Sequence, residues 1–272
     1  MRSRLRNTVL CCAVAVMSVS LSTTSVAAPQ ERESANERVA KVAAEYSAQH
    51  PHDYEGLERA IVAAGGDSVT IAVDGHGGVS AHEAQDLYEQ AAAAESSGDV
   101  EPFDVPADAF NVSGSWYHIQ DQYGEWWNAT GTWNFRDNYV NGSAPRDASG
   151  IAADVPNCWV NDGEWIRAYD YQGNRYGGPL LRQNAGLTAS VYAVEDATSN
   201  FAMLTDNGSH TVSFKRQSAG CAGQPLQARY YFEHNQDGGG GWSFGISVAG
   251  FSLTYSSGTP PTLQKATQVF RT

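Results

Sequence analysis

Glu125-Trp126-Trp127-Asn128-Ala129-Thr130-Gly131-Thr132-Trp133-Asn134-Phe135 alternates apolar with small polar residues along most of its length. A period of two places successive side chains on opposite faces of a strand, so this stretch predicts β structure. Asn111–Gln120 before it has the same character, and Asp121-Gln122-Tyr123-Gly124 between them is a hairpin signal. All seven tryptophans fall between Trp116 and Trp242, and none precedes them. Further runs of period two cover Leu187–Val194, Phe201–Thr205, His210–Arg216, Gln227–His234, Trp242–Val248, Phe251–Tyr255 and Thr267–Arg271. Cys158-Trp159-Val160 and Trp165–Tyr171 are separated by Asn161-Asp162-Gly163, and Asn207-Gly208 precedes His210; both read as turns. Strands at this spacing predict a mainly β chain whose C-terminal domain, 110–272, is an antiparallel β-sandwich or a closed barrel.

The residues before Phe110 have a different period. Val39, Val42, Ala43 and Tyr46 recur at helical spacing within Glu31–Gln49, and Leu57, Ala60 and Ile61 repeat it within Tyr54–Ala64, ahead of Gly65-Gly66. Ser68–Val73 then alternates as a short strand and Asp74–Gly78 turns the chain. Ser80 with Glu83 forms a capping box that opens a third helix, running towards Glu95. The expectation is a small α+β segment over 29–96, in the order α-α-β-α, which is either a propeptide or part of the mature protein. Residues 97–109, with Pro102, Pro106 and acidic side chains, read as a linker.

Arg2, Arg4 and Arg6 stand ahead of an apolar run from Val9 to Val19, and Val26-Ala27-Ala28 supplies small residues at a cleavage position. This pattern predicts a signal peptide over residues 1–28 and a secreted, extracellular product. The run is shorter than the roughly 20 residues that span a bilayer, and no later segment approaches that length, so no transmembrane segment is expected. Losing three arginines takes the formal net charge from -13 to -16. A field of that sign repels phosphate backbones and argues against nucleic acid as a partner. Cys158 and Cys221 then remain, and in an oxidising compartment an even pair predicts one disulfide. Closing that loop constrains the unfolded chain by roughly 4 kcal/mol on the loop-entropy argument.

Adjacent residues on a strand face opposite ways, so Trp126 and Trp127 cannot share one core. Indoles beside amides suit sugar rings, whose apolar faces stack while the hydroxyls take hydrogen bonds. Trp126, Trp127, Trp133, Asn128, Asn134, Trp165 and Tyr169 are the candidate ligand-binding residues. Glu125, Glu164 and Glu233 are carboxylates in aromatic surroundings and the candidates for glycosidase chemistry, which requires two of them about 5–9 Å apart. His118, His210 and His234 are potential bases near strands, and no H-E-x-x-H pattern occurs. No cofactor and no metal site are expected. Asp121, Asp162 and Asp170 are weak calcium candidates outside any EF-hand pattern.

These readings favour a secreted recognition protein, not an enzyme, that binds carbohydrate or a cell-surface component through an aromatic face. Three alternatives come from the same residues. Uncharged alternation over Trp242–Tyr255 is also how an inserting β-hairpin of an oligomeric pore-forming toxin is written. The three glutamates allow a glycan hydrolase, and a wholly shielded set of tryptophans would mark a structural or inhibitory protein.

Overall fold

Strands β3 (Phe110–Asp121) and β4 (Gly124–Phe135) pair antiparallel along their whole length, turning where Asp121 Oδ1 accepts the Tyr123 N–H at 2.6 Å. The other edge of β4 pairs with β11 (Asn207–Arg216), and β11 in turn with β6 (Trp159–Tyr169). On the near side β3 receives the N-terminal hairpin β1 (Asp67–Val73) and β2 (His76–Val79), which completes a six-stranded sheet in the order β2-β1-β3-β4-β11-β6. A second sheet contains β5 (Asp147–Asp154), β7 (Leu181–Gln183), β8 (Ala189–Val194), β12 (Gln227–Asn235) and β15 (Thr262–Ala266). Its order is β15-β12-β5-β8-β7, and β16 (Phe270–Arg271) also pairs with β12. Two pairs form two-stranded sheets of their own, β9 (Thr198–Ser199) with β10 (Ala202–Met203), and β13 (Trp242–Ser247) with β14 (Gly250–Tyr255). Among the described residues every pairing is antiparallel, as the mainly β reading expects.

The structure is a computed structural model, and it describes residues 33–73, 76–96, 110–135, 147–154, 158–178, 180–183, 189–194, 198–199, 202–235, 242–247, 250–255, 262–266 and 270–271. The expected signal peptide and the expected linker lie outside these residues. Glu33–Thr272 forms one compact unit.

The two large sheets pack face to face. Phe110, Val112, Trp116, Trp133, Phe135, Val212 and Phe214 from the first meet Ile151, Ala153, Ala228, Tyr230 and Phe232 from the second in one buried cluster. Trp133 stacks on Phe232 with ring centroids 5.2 Å apart. That contact depends on Gly208, because a Cβ there would lie 2.2 Å from the Trp133 ring and 2.4 Å from the Arg167 carbonyl oxygen. Gly131 plays the same part for Tyr230, whose ring would meet an added Cβ at 2.0 Å.

The opposite face of the first sheet is covered by the helices. Helix α1 (Ala35–Gln49) begins where Ser34 Oγ accepts the Glu37 N–H at 3.0 Å, and buries Asn36, Val39, Ala40, Ala43, Ala44, Ser47 and Ala48. Beneath it lie Asn128, Thr130 and Thr132 of β4 and Ser209, Thr211 and Ser213 of β11, all buried. Alanines against hydroxyl residues allow helix and sheet to approach closely. Three hydrogen bonds cross the layer: Asn36 Nδ2 donates to Ser213 Oγ at 2.8 Å, Asn128 Nδ2 to Asn36 Oδ1 at 3.1 Å, and the Ser209 hydroxyl to the Ala44 carbonyl at 2.5 Å. Helix α2 (Tyr54–Ala64) is capped by Asp53, which accepts the Gly56 N–H, and ends at Gly65 in the left-handed region, φ +109°. The capping box of α3 (Ala81–Ser96) forms as expected, the Glu83 N–H donating to Ser80 Oγ at 3.2 Å. These elements enclose a second core of Val39, Leu57, Ile61, Ile71, Tyr117, Ile119 and Trp126.

Four expectations are corrected. The order before Phe110 is α-α-β-β-α and not α-α-β-α, because His76–Val79, expected to fall largely in a turn, pairs with β1 as a second strand. Asn161-Asp162-Gly163 is not a hairpin turn, because β6 runs through it against β11 with a register shift opposite Ser213/Phe214. Asn161 Oδ1 accepts the Gly163 N–H at 3.1 Å, so the turn-forming side chain makes a local irregularity inside a strand. Asn207-Gly208 likewise lies within β11, where the glycine serves Trp133 and not a turn. Asp147–Asp154 gave no strand signal, yet it is central in the second sheet, between β12 and β8. Its Ala, Ser and Gly residues carry little β-propensity, and their small size suits a strand buried on both faces. The disulfide joins Cys158, at the head of β6, to Cys221 in the short turn Ala219–Cys221 before β12, with Cα atoms 5.3 Å apart.

His52, between α1 and α2, stacks on Tyr88 of α3 with centroids 4.2 Å apart and planes at 7°, and its Nε2 lies 3.1 Å from Asn134 Nδ2. Burial lowers its pKa from 6.5 to about 4. Between those values the unfolded chain binds a proton that the folded chain does not, so stability falls as pH drops through this window, by about 3 kcal/mol in all. Urea titrations from pH 7 to pH 4 are expected to show this slope, and His52→Phe to flatten it. Gly208→Ala is expected to lower stability by about 1–3 kcal/mol through overpacking, whereas Gly177→Ala, with open space around it, should change it by less than about 0.5 kcal/mol.

Candidate functional site

The aromatic and amide residues singled out in the sequence do not share one exposed face. Trp126, Asn128, Asn134, Trp165 and Tyr169 belong to the helix side of the first sheet, while Trp127 and Trp133 belong to the side facing the second sheet. Trp126, Asn128, Trp133 and Tyr169 are buried. Trp126 is held by an indole N–H donated to Asp162 Oδ2 at 2.7 Å and by the Lys215 ammonium 5.0 Å from its ring. Tyr169 donates its hydroxyl to Glu45 of α1 and receives Gln49 Nε2 at 3.1 Å. Trp127, Asn134 and Trp165 are half-buried, and Asn134 is engaged by His52.

The three glutamates are also apart. Glu125 and Glu164 point into the space between the sheets, but two strand spacings and four residues of rise put their backbones about 16 Å apart. Glu233 lies on the other face of β12, next to inward-facing Phe232 and His234. Glu164 accepts Asn161 Nδ2 at 2.6 Å and the Tyr192 hydroxyl at 3.4 Å. No two of them stand as a paired acid and base across a cleft. His210 and His234 are completely buried, the first between Ser149 and Ser190, the second 2.9 Å from Asp147 Oδ2. Both occupy the interior of the sandwich.

The calcium candidates have local work. Asp121 holds the β3–β4 turn, Asp162 takes the Trp126 indole, and Asp170 Oδ1 accepts the Gln172 and Asn174 N–H groups at 2.9 and 2.8 Å. Among the described residues no group of three or more His, Cys, Asp or Glu converges to hold a metal.

One arrangement does bring chemistry to the surface. At the hairpin end of the first sheet, neighbouring strands β1, β3, β4 and β11 contribute Asp67, His118, Glu125 and Arg216 in spatial order. His118 Nδ1–H donates to Asp67 Oδ1 at 2.8 Å, and its Nε2 lies 3.5 Å from Glu125 Oε1. Arg216 Nη1 donates to Glu125 Oε2 at 2.7 Å. The side chains of His118, Glu125 and Arg216 are 16%, 17% and 23% exposed, enough to reach solvent while held in place. Trp127 lies beside them, its ring stacked on Trp116 at 5.2 Å and 16°, and 5.0 Å from His118. The Trp116 stack fixes one face of the indole, so a half-buried aromatic surface borders a row of titratable and charged side chains. Such a row offers both hydrogen-bond donors and acceptors. Asp67 and Arg216 carry no local motif, and only the strand order joins them to His118 and Glu125.

No protein-family model and no curated protein matches this chain. Among solved structures, one described as "Complete structure of manganese lipoxygenase of Gaeumannomyces graminis and partial structure of zonadhesin of Komagataella pastoris" aligns at 7% identity with a TM-score of 0.24. The alignment covers 64% of this chain and spans 59% of that one. A likeness that low carries no argument about fold or function.

Proposed function

We propose that this is a secreted, extracellular recognition protein that binds carbohydrate at the hairpin end of its first sheet, through Trp127 and the adjoining His118, Glu125 and Arg216. Trp127 carries the reading: it is a half-buried indole, backed by Trp116 and bordered by polar groups. An apolar ring face flanked by donors and acceptors is suited to a sugar ring. Asp67, His118, Glu125 and Arg216 already have polar partners within the row, so a neutral hydroxylated ligand can replace water there without stripping any of them of its contact. The acidic net charge of -13 favours a neutral ligand over a polyanion in the same way. The signal-like N-terminus and the Cys158–Cys221 bond support action outside the cell.

A second reading rests on the β13–β14 hairpin. It pairs Trp242 with Tyr255, Phe244 with Leu253 and Ile246 with Phe251, outside both large sheets. An uncharged hairpin with apolar residues in register is also the pattern of a membrane-inserting element of a pore.

Tryptophan emission of the protein titrated with a panel of neutral soluble polysaccharides tests the first reading. At least one glycan is expected to shift the spectrum, Trp127→Ala to weaken that binding by roughly tenfold or more, about 1.4 kcal/mol, and Trp165→Phe to preserve it. No response to any glycan, together with dye release from liposomes, would replace the first reading by the second.

A further inference from the structure

A cleft of about 190 Å³ lies on the helical side of the molecule, where α2 and α3 meet β1 and β3. It is separate in sequence and in lining from the row around Trp127. Its walls are rings and aliphatic side chains, Tyr54 and Tyr88 with Leu87 and Val73, and β3 borders it at Asn111 and Val112, the latter turning its side chain to the opposite face. Its polar groups are the side chains of Asn111 and His76, the latter exposed. Among the described residues none that lines it is Asp, Glu, Lys or Arg, in a chain with 30 acidic residues.

The walls are rigid. Tyr88 has His52 stacked against its ring at 4.2 Å and Tyr54 edge-on at 6.3 Å. His52 is itself tied to Asn134, the cross-strand partner of Asn111 on the cleft wall. Burial keeps the imidazole neutral near pH 7, so the support behind Tyr88 brings no charge. A preformed wall avoids the ordering cost that otherwise reduces the affinity of a small ligand.

Size and chemistry then restrict the occupant. An apolar cavity of about 150 Å³ accommodates benzene, so 190 Å³ fits one aromatic ring with a polar substituent. An ion entering this cleft would lose hydration, and among the described lining residues His76 alone could offer it a counter-charge. We infer that the cleft is a binding site for an uncharged, ring-sized molecule carrying a hydrogen-bonding group, of the phenol or indole class, its ring against Tyr88 and its polar group towards Asn111 or His76.

Phenol and indole, with benzoate and benzylammonium as charged counterparts of similar size, are titrated into the protein and followed by amide and methyl NMR. Saturable shifts confined to Tyr88, Ala91, Ala92 and Val112 are expected with the neutral compounds, and binding weaker by roughly tenfold or more with the charged ones. Ala91 and Ala92 line the cleft and are exposed, so added bulk there fills the space without crowding a core. Ala91→Phe is expected to weaken phenol binding by roughly tenfold or more while keeping the thermal transition. Ala92→Leu serves the same purpose should the first variant unfold. Absence of saturable shifts, equal affinity for the charged compounds, or phenol binding unchanged in a folded variant would overturn the proposal.

Discussion

The first sheet has no free face, and that constraint shapes the rest of the molecule. Its central strands β4 and β11 present large apolar side chains to the second sheet and a bed of Ser, Thr and Asn to helix α1. Hydroxyls and amides removed from water cost free energy unless they are bonded. Here Thr130 and Thr211 bond each other at 2.7 Å, Tyr117 reaches Thr130 at 3.3 Å, and Asn36 of α1 links Asn128 to Ser213. The helix must therefore be poor in bulk, so that it comes close, and must supply polar partners at the right positions. Its sequence meets both needs, with alanines at 40, 43, 44 and 48 and asparagine at 36.

The same constraint explains where the chemistry sits. With both faces of the sheet occupied, titratable groups reach solvent at its end, and the cross-strand order places Asp67, His118, Glu125 and Arg216 there. Trp127, at the border of the sandwich core, is half-buried, while Trp126, one residue earlier, is packed under the helices. On the helix side of the sheet, α2 and α3 leave a cleft against β1 and β3.

Much of this was legible in the sequence. The change of period near Phe110, the β3–β4 hairpin, the capping box at Ser80 and the disulfide all follow from local rules that act within a few residues or from simple pairing. The opposite orientation of Trp126 and Trp127 followed from strand geometry alone, although the choice of which was buried did not. Alternation of apolar with Ser and Thr reads as one wet face and one dry face, and nothing local tells that an alanine-rich helix covers the polar one. Short stretches with weak propensity were equally silent. Asp147–Asp154 is a strand because its neighbours need a thin one, and Gly208 and Gly163 resemble turn glycines while lying in strands under the rings of Trp133 and Trp165. The row of charge was hidden for a further reason, since its members are joined only by register.

The central claim is that residues 33–96 belong to the fold of the strands, with α1 as one of its layers. Its most direct test is to produce residues 110–272 alone and measure near-ultraviolet circular dichroism and urea unfolding beside the chain that begins at residue 29. The account predicts that the shorter fragment lacks the aromatic signal and the cooperative transition, because Asn128, Thr130, Ser209 and Ser213 lose their cover. A fragment with the native aromatic spectrum and a sharp transition would contradict it.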